Sequence, residues 1–104
     1  VIGDRALKQR KVSTYIYDLA GAWKSFTGLP FVFAAWVANK LLPKTFIQLF
    51  DVANAYGLQH IETVAKQNEN DFYDVHDYFT KNISYQLTEE KLQGLKKFLE
   101  MIDN

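Results

Sequence analysis

Gly3-Asp4 follows the strand-like pair Val1-Ile2. A Gly-Asp at the carboxyl end of a strand stands where open α/β sheets place ligands. Glycine lets a ligand come close to the backbone. Asp4 can hold a hydroxyl, orient a base, or cap the helix that follows. The two histidines, His60 and His76, lie sixteen positions apart on predicted helices. They form no i, i+4 pair of the kind that grips a metal, so both read as surface or boundary residues. Asp71, Asp74 and Asp77 recur every three residues, on one face of a predicted helix. Such carboxylates bind cations or do acid–base work, although Lys66 or Lys81 beside them makes an ordinary solvated face the simpler reading. Tyr15, Tyr17, Trp23, Phe26, Phe31, Phe33 and Trp36 crowd the first third of the chain. They wall a pocket for a planar ligand or form the core, and the core is favoured. No Ser–His–Asp order, P-loop or GxGxxG is present, so the catalytic residues stay unassigned.

Several elements must position these residues. Val1-Ile2 reads as the end of a strand, Arg5 to Lys11 as a short polar turn of helix, and Ser13 to Tyr17 as a β-branched and aromatic strand. Asp18 is placed to cap a helix over 19–26, with Leu19, Ala22, Trp23 and Phe26 at helical spacing and Thr27-Gly28 closing it. Leu29 to Val37 is apolar without a charge and is entered through Gly28 and Pro30, which predicts a strand buried on both faces. Four helices complete the chain. The first runs from Pro43 to about Tyr56 with Gly57 just beyond its end, and the second covers about 58–67. The third covers about 72–80 with Asp71 as its cap, and the fourth runs to about Ile102 behind Thr88. The expected fold class is therefore α/β, with few strands first and four helices after them. Two or three strands make a poor sheet alone, so the missing ones come from an absent N-terminal part or from a second copy of the chain as a homodimer. A chain that opens on Val inside a strand likewise reads as a piece of a longer protein.

Bulk properties narrow the partners. The chain has 104 residues, enough for one modest core, and twelve basic residues balance twelve acidic ones. That balance argues against a nucleic-acid partner, while leaving room for a small anionic ligand held locally. The lack of cysteine removes thiolate metal sites and disulfide scaffolds and fits a cytoplasmic protein. No apolar run is long enough for a membrane span, so no membrane partner is expected.

Three blocks taken together carry a family resemblance. Val1-Ile2-Gly3-Asp4-Arg5-Ala6-Leu7, Tyr17-Asp18-Leu19-Ala20-Gly21-Ala22-Trp23-Lys24 and Thr27-Gly28-Leu29-Pro30-Phe31-Val32-Phe33-Ala34-Ala35-Trp36 resemble, in order and spacing, chorismate dehydratase of the futalosine route to menaquinone. The tail from Tyr78-Phe79 through Ile83-Ser84-Tyr85 and Leu87-Thr88 to Gly94-Leu95 and Phe98 is similar to that family's C-terminus. The resemblance covers nearly all of the chain, but only about the last two-fifths of a family member.

The resemblance implies a two-lobed fold like the type 2 periplasmic binding proteins. Residues 1–28 would end the second lobe, and residues 29–104 would supply a hinge strand and helices packed on the first lobe. It also implies a lyase that removes water from chorismate to give 3-[(1-carboxyvinyl)oxy]benzoate, with no cofactor and no metal. The substrate-binding residues carried over are Gly3, Asp4, Thr27, Gly28, Leu29, Pro30 and Phe31. The sister enzyme of the route, a dihydroxynaphthoate synthase, carries His-Glu where this chain has Gly3-Asp4 and Pro-Leu-Gly after Gly-Leu-Pro. Phe-Val-Phe-Ala here favours the dehydratase. Two other readings stand beside it: a solute-binding module without catalysis, and a small helical interaction domain. The enzyme reading is tied to the apolar ribbon after Gly28-Leu29-Pro30 serving as a buried hinge strand.

Overall fold

Seven helical segments and no strand are found among residues 1–103, the part of the chain described by the computed structural model. The expected α/β class is thus corrected to a helical one, and no sheet is present among the described residues to support a periplasmic-binding-protein-like layer. The reason lies in what a strand requires. β-branched and aromatic residues favour extended backbone, but a strand exists only where a neighbour pairs with its N–H and C=O groups. Ile2 is extended, with φ −132° and ψ 163°, yet Gly3 at φ 60° turns the chain straight into a helix. The stretch from Ser13 to Tyr17 stays irregular.

The ribbon from Leu29 to Val37 is likewise irregular. Leu29 to Val32 are half-buried, whereas Phe33 is 78% and Trp36 83% exposed. The expected strand, buried on both faces and acting as a hinge, is not there.

The helices follow local signals more closely. α1 spans Gly3–Gln9. α2 spans Leu19–Thr27, where Asp18 Oδ1 accepts the Ala20 N–H at 3.0 Å. Gly28, at φ 75°, ends α2 in the left-handed conformation and donates its N–H to the Lys24 carbonyl. α3 spans Lys44–Gln59 behind Pro43 and runs through Gly57, which was expected to lie beyond its end. It stops at His60, whose Nδ1 lies 2.8 Å from the Tyr56 carbonyl oxygen. α4 spans Ile61–Gln67. The expected helix over 72–80 is reduced to α5, Val75–Asp77, which continues as a π-helical turn over Tyr78–Asn82. Its cap is Asp74, which accepts the Asp77 N–H at 2.8 Å, and not Asp71. α6 spans Glu89–Ile102, where Thr88 Oγ1 accepts the Lys91 N–H.

Two compact units result. The first comprises Val1–Ser13 with Val37–Ser84, and the second Thr14–Trp36 with Tyr85–Asn104. In the first, α4 packs on α5 through Ala65, 3% exposed, and Val75, 4% exposed. The apolar positions of α3 gain little cover, since Phe46, Leu49 and Val52 are each at least half exposed. In the second, Trp23 of α2, Phe31 of the ribbon and Phe98 of α6 meet edge to face, with ring centroids 5.0 to 5.8 Å apart. Gly94 is buried in α6 beneath the Pro30 carbonyl.

Candidate functional site

The seven residues expected to bind substrate fall into two groups, one in each unit. Gly3 and Asp4 form the first turn of α1 in the first unit. Asp4 is not the cap of α1, since that position is Ile2 and no side chain caps it. Its carboxylate instead holds a hydroxyl, because Oδ1 accepts the O–H of Tyr73 at 3.2 Å.

Tyr73 itself is held by the turn before it. Asn70 Oδ1 accepts the backbone N–H groups of both Phe72 and Tyr73, at 2.9 and 3.3 Å. The Tyr73 ring meets Tyr78 edge on at 5.4 Å. Partial burial and the neighbouring Asp4 carboxylate together raise the Tyr73 phenol above its ordinary value of 10.0. Two further contacts join α1 and the residues just after it to the same turn. Lys8 places its ammonium 4.2 Å from the centre of the Phe72 ring, and Lys11 donates to the Asp71 carbonyl at 3.0 Å.

Thr27, Gly28, Leu29, Pro30 and Phe31 lie in the second unit, at the exit of α2. Thr27 Oγ1 donates to the Trp23 carbonyl at 2.8 Å and accepts the Leu29 N–H at 3.1 Å, which closes the corner around Gly28. Pro30 then lies so close to α6 that a Cβ on Gly94 would stand 2.2 Å from the Pro30 carbonyl oxygen. Phe31 joins the aromatic trio. The trio takes up only part of the aromatic crowding, as Tyr15, Tyr17, Phe26, Phe33 and Trp36 are exposed. Trp23 Nε1 is buried without a hydrogen-bond partner among the described residues.

A third cluster lies at the contact of α4 with α5. Glu62 Oε1 is 2.8 Å from His76 Nε2, and Asp77 Oδ1 is 3.7 Å from His76 Nδ1. These acceptors, the hydrogen bond to Glu62 first, raise the His76 imidazole above its ordinary value. Lys81 pairs with Asp77 Oδ2 at 2.8 Å and holds the Asp77 carboxyl below its ordinary value. Asp74, His76 and Asp77 each bring a ligand-type atom within 4.8 Å of the others. These groups already serve protein partners: Asp74 caps α5, Asp77 pairs with Lys81, and His76 binds Glu62. The single helical face expected for Asp71, Asp74 and Asp77 does not exist, because α5 begins only at Val75.

The deciding observation runs along the whole sequence. The family described as menaquinone biosynthesis matches residues 1–104. This chain belongs to the menaquinone-biosynthesis family. Among its relatives, a chorismate dehydratase of Campylobacter jejuni subsp. jejuni is 34% identical over 105 residues, which cover 96% of this chain and 47% of that protein. A chorismate dehydratase of Thermus thermophilus is 32% identical over 103 residues, covering 93% of this chain and 38% of that protein. The chain thus spans less than half the length of these curated relatives. No solved structure matches it significantly. Membership in the menaquinone-biosynthesis family rests on this match and not on the apolar ribbon to which the enzyme reading was tied. Tyr73, the residue of this family member that meets Asp4, carries no local signal that would have singled it out, as the two lie 69 positions apart.

Proposed function

We propose that this chain is part of a protein that dehydrates chorismate to 3-[(1-carboxyvinyl)oxy]benzoate on the futalosine route to menaquinone, in the cytoplasm and without a cofactor. The observation that carries the reading is the family match over the full chain, joined to two relatives named chorismate dehydratase. In this reaction a ring C–H gives up its proton, the ring hydroxyl departs, and the two leave as water while the ring becomes aromatic. Aromatisation supplies the driving force. The protein's task is to orient a dianion and assist departure of the hydroxyl.

Gly3 and Asp4 in one unit and the Thr27–Phe31 corner in the other are the substrate-binding candidates. A carboxylate such as Asp4 repels the two carboxylates of chorismate and suits its hydroxyl. The corner presents backbone groups and an aromatic face.

The test is to follow chorismate by ultraviolet absorbance in the full-length protein that carries this chain. Appearance of the aromatic product is expected, and the 104-residue chain alone is expected to show none. Binding of chorismate without a spectral change would overturn the lyase reading in favour of a solute-binding module. Dehydration by the 104-residue chain alone would overturn its assignment as one part of a larger site.

A further inference from the structure

We propose that Tyr73 is a positioning residue that pins one oxygen of the Asp4 carboxylate and thereby presents the other to the substrate's hydroxyl. The inference rests on the dehydratase reading and assigns that reading's hydroxyl contact to a particular pair of side chains.

Asp4 Oδ1 accepts the Tyr73 O–H at 3.2 Å, and Oδ2 has no protein partner among the described residues. A carboxylate offers about four lone-pair sites on two oxygens, so one donor leaves ample capacity for a second. An exposed aspartate on a helix ordinarily swings between rotamers, and each orientation it must give up on binding lowers affinity. Tyr73 removes that freedom beforehand.

The tyrosine is itself fixed. The Asn70 side chain grips its backbone N–H, and the Tyr78 ring bounds its own. The turn that carries it is tied to α1 again through Lys8 on Phe72, and to the residues just after α1 through Lys11 on the Asp71 carbonyl. Asp4, Lys8 and Lys11 thus meet Tyr73, Phe72 and Asp71 in antiparallel order, which sets the register of α1 against the turn. A group that only stabilised α1 would have no need to engage the candidate substrate residue. Tyr73 engages it while leaving one of its oxygens open.

The experiment has two arms. In the full-length protein that carries this chain, the Tyr73 phenol is titrated by NMR with selectively labelled tyrosine. Asp4→Asn is expected to bring its pKa down toward the ordinary value, and no response would show that the pair does not form and would overturn the proposal alone. In the full-length protein, affinity is measured for chorismate and for an analogue lacking the ring hydroxyl. Tyr73→Phe is expected to weaken chorismate about tenfold, the scale of one hydrogen bond to a charged group, and to leave the analogue unchanged. Asp4→Asn is expected to do the same, and the double variant to add little to either.

Equal loss for both ligands would mean that Tyr73 acts only on structure, and an unchanged chorismate affinity would mean that it does not act on the site. Either result overturns the proposal while the dehydratase reading stands. If the unaltered full-length protein binds neither ligand, the dehydratase reading fails and takes the proposal with it.

Discussion

The hydroxyl of Tyr73 donates to Oδ1 of Asp4 over 3.2 Å and so joins residues 69 positions apart. The bond is exposed and charge-assisted, and it has a consequence in pH. Partial burial and the Asp4 charge raise the Tyr73 phenol above 10.0, so the folded state holds this proton more tightly than the unfolded chain does. The contribution to stability is therefore fully present below about pH 10 and is lost as the pH rises through the folded value. Urea midpoints measured from pH 8 to 11 are expected to fall at the upper end for the unaltered chain, and to fall less for Tyr73→Phe. Equal slopes would contradict the contact.

Gly94 has no room for a side chain. An added Cβ would sit 2.2 Å from the Pro30 carbonyl oxygen, and a backbone atom cannot swing aside as a side chain can. Alanine in a helix interior gains up to about 1 kcal/mol of propensity over glycine, but overpacking of this kind costs about 1–3 kcal/mol. Gly94→Ala is expected to be net destabilising by about 1–2 kcal/mol. A variant as stable as the parent in chemical denaturation would show that Pro30 does not lie on α6.

Trp23 and Trp36 should be spectroscopically distinct. Trp23 is packed against Phe31 and Phe98, whereas Trp36 is 83% exposed. Trp36→Phe is expected to leave a blue-shifted emission from Trp23, and Trp23→Phe a red one from Trp36. Truncation by Trp23→Ala is expected to cost about 3 kcal/mol, the lower end for a large aromatic because Trp23 is only half-buried. Trp23→Phe is expected to be milder, since it also removes the buried Nε1 that lacks a partner among the described residues. Matching spectra for the two single-tryptophan chains would refute the aromatic trio.

His76 couples α4 to α5 through Glu62. The Glu62 hydrogen bond first, and its charge second, raise the imidazole above 6.5. With the folded value raised, the stabilising contribution is present below about pH 6.5 and disappears as the pH climbs through the folded value. The pair is exposed, so the effect on global stability is small and screened by salt. An NMR titration of His76 is the sensitive readout. Glu62→Gln is expected to lower its pKa, and an unchanged titration would rule out the pairing.

The parts of the fold legible in the sequence are those held by contacts within one helical turn. Asp18 and Thr88 cap the helices they were expected to cap, because a short oxygen side chain reaches an N–H two or three residues ahead whatever lies elsewhere. Gly28 closes α2 for a similarly local reason, as it adopts φ 75° without the clash that a Cβ would bring. Gly57 shows the limit, since a glycine that can end a helix need not do so, and α3 continues to Gln59.

Other features depended on partners far away in the chain. The apolar ribbon after Pro30 has the composition of a buried strand, yet no neighbouring strand pairs with it, and its far end is exposed. Asp74 and not Asp71 is the cap because α5 begins only at Val75, which puts the Asp77 N–H within reach of Asp74 Oδ1.

By itself the sequence determined the family, which matches along residues 1–104, and it determined both ends of α2 and the start of α6, which depend on atoms only a few residues apart. Tertiary structure alone decided that Asp4 meets Tyr73, that Glu62 meets His76, and that Gly94 lies under Pro30. Each of these contacts joins residues from 14 to 69 positions apart, or a glycine to a distant carbonyl. At such separations the chain's path through space, and not the identity of near neighbours, sets which atoms come within reach.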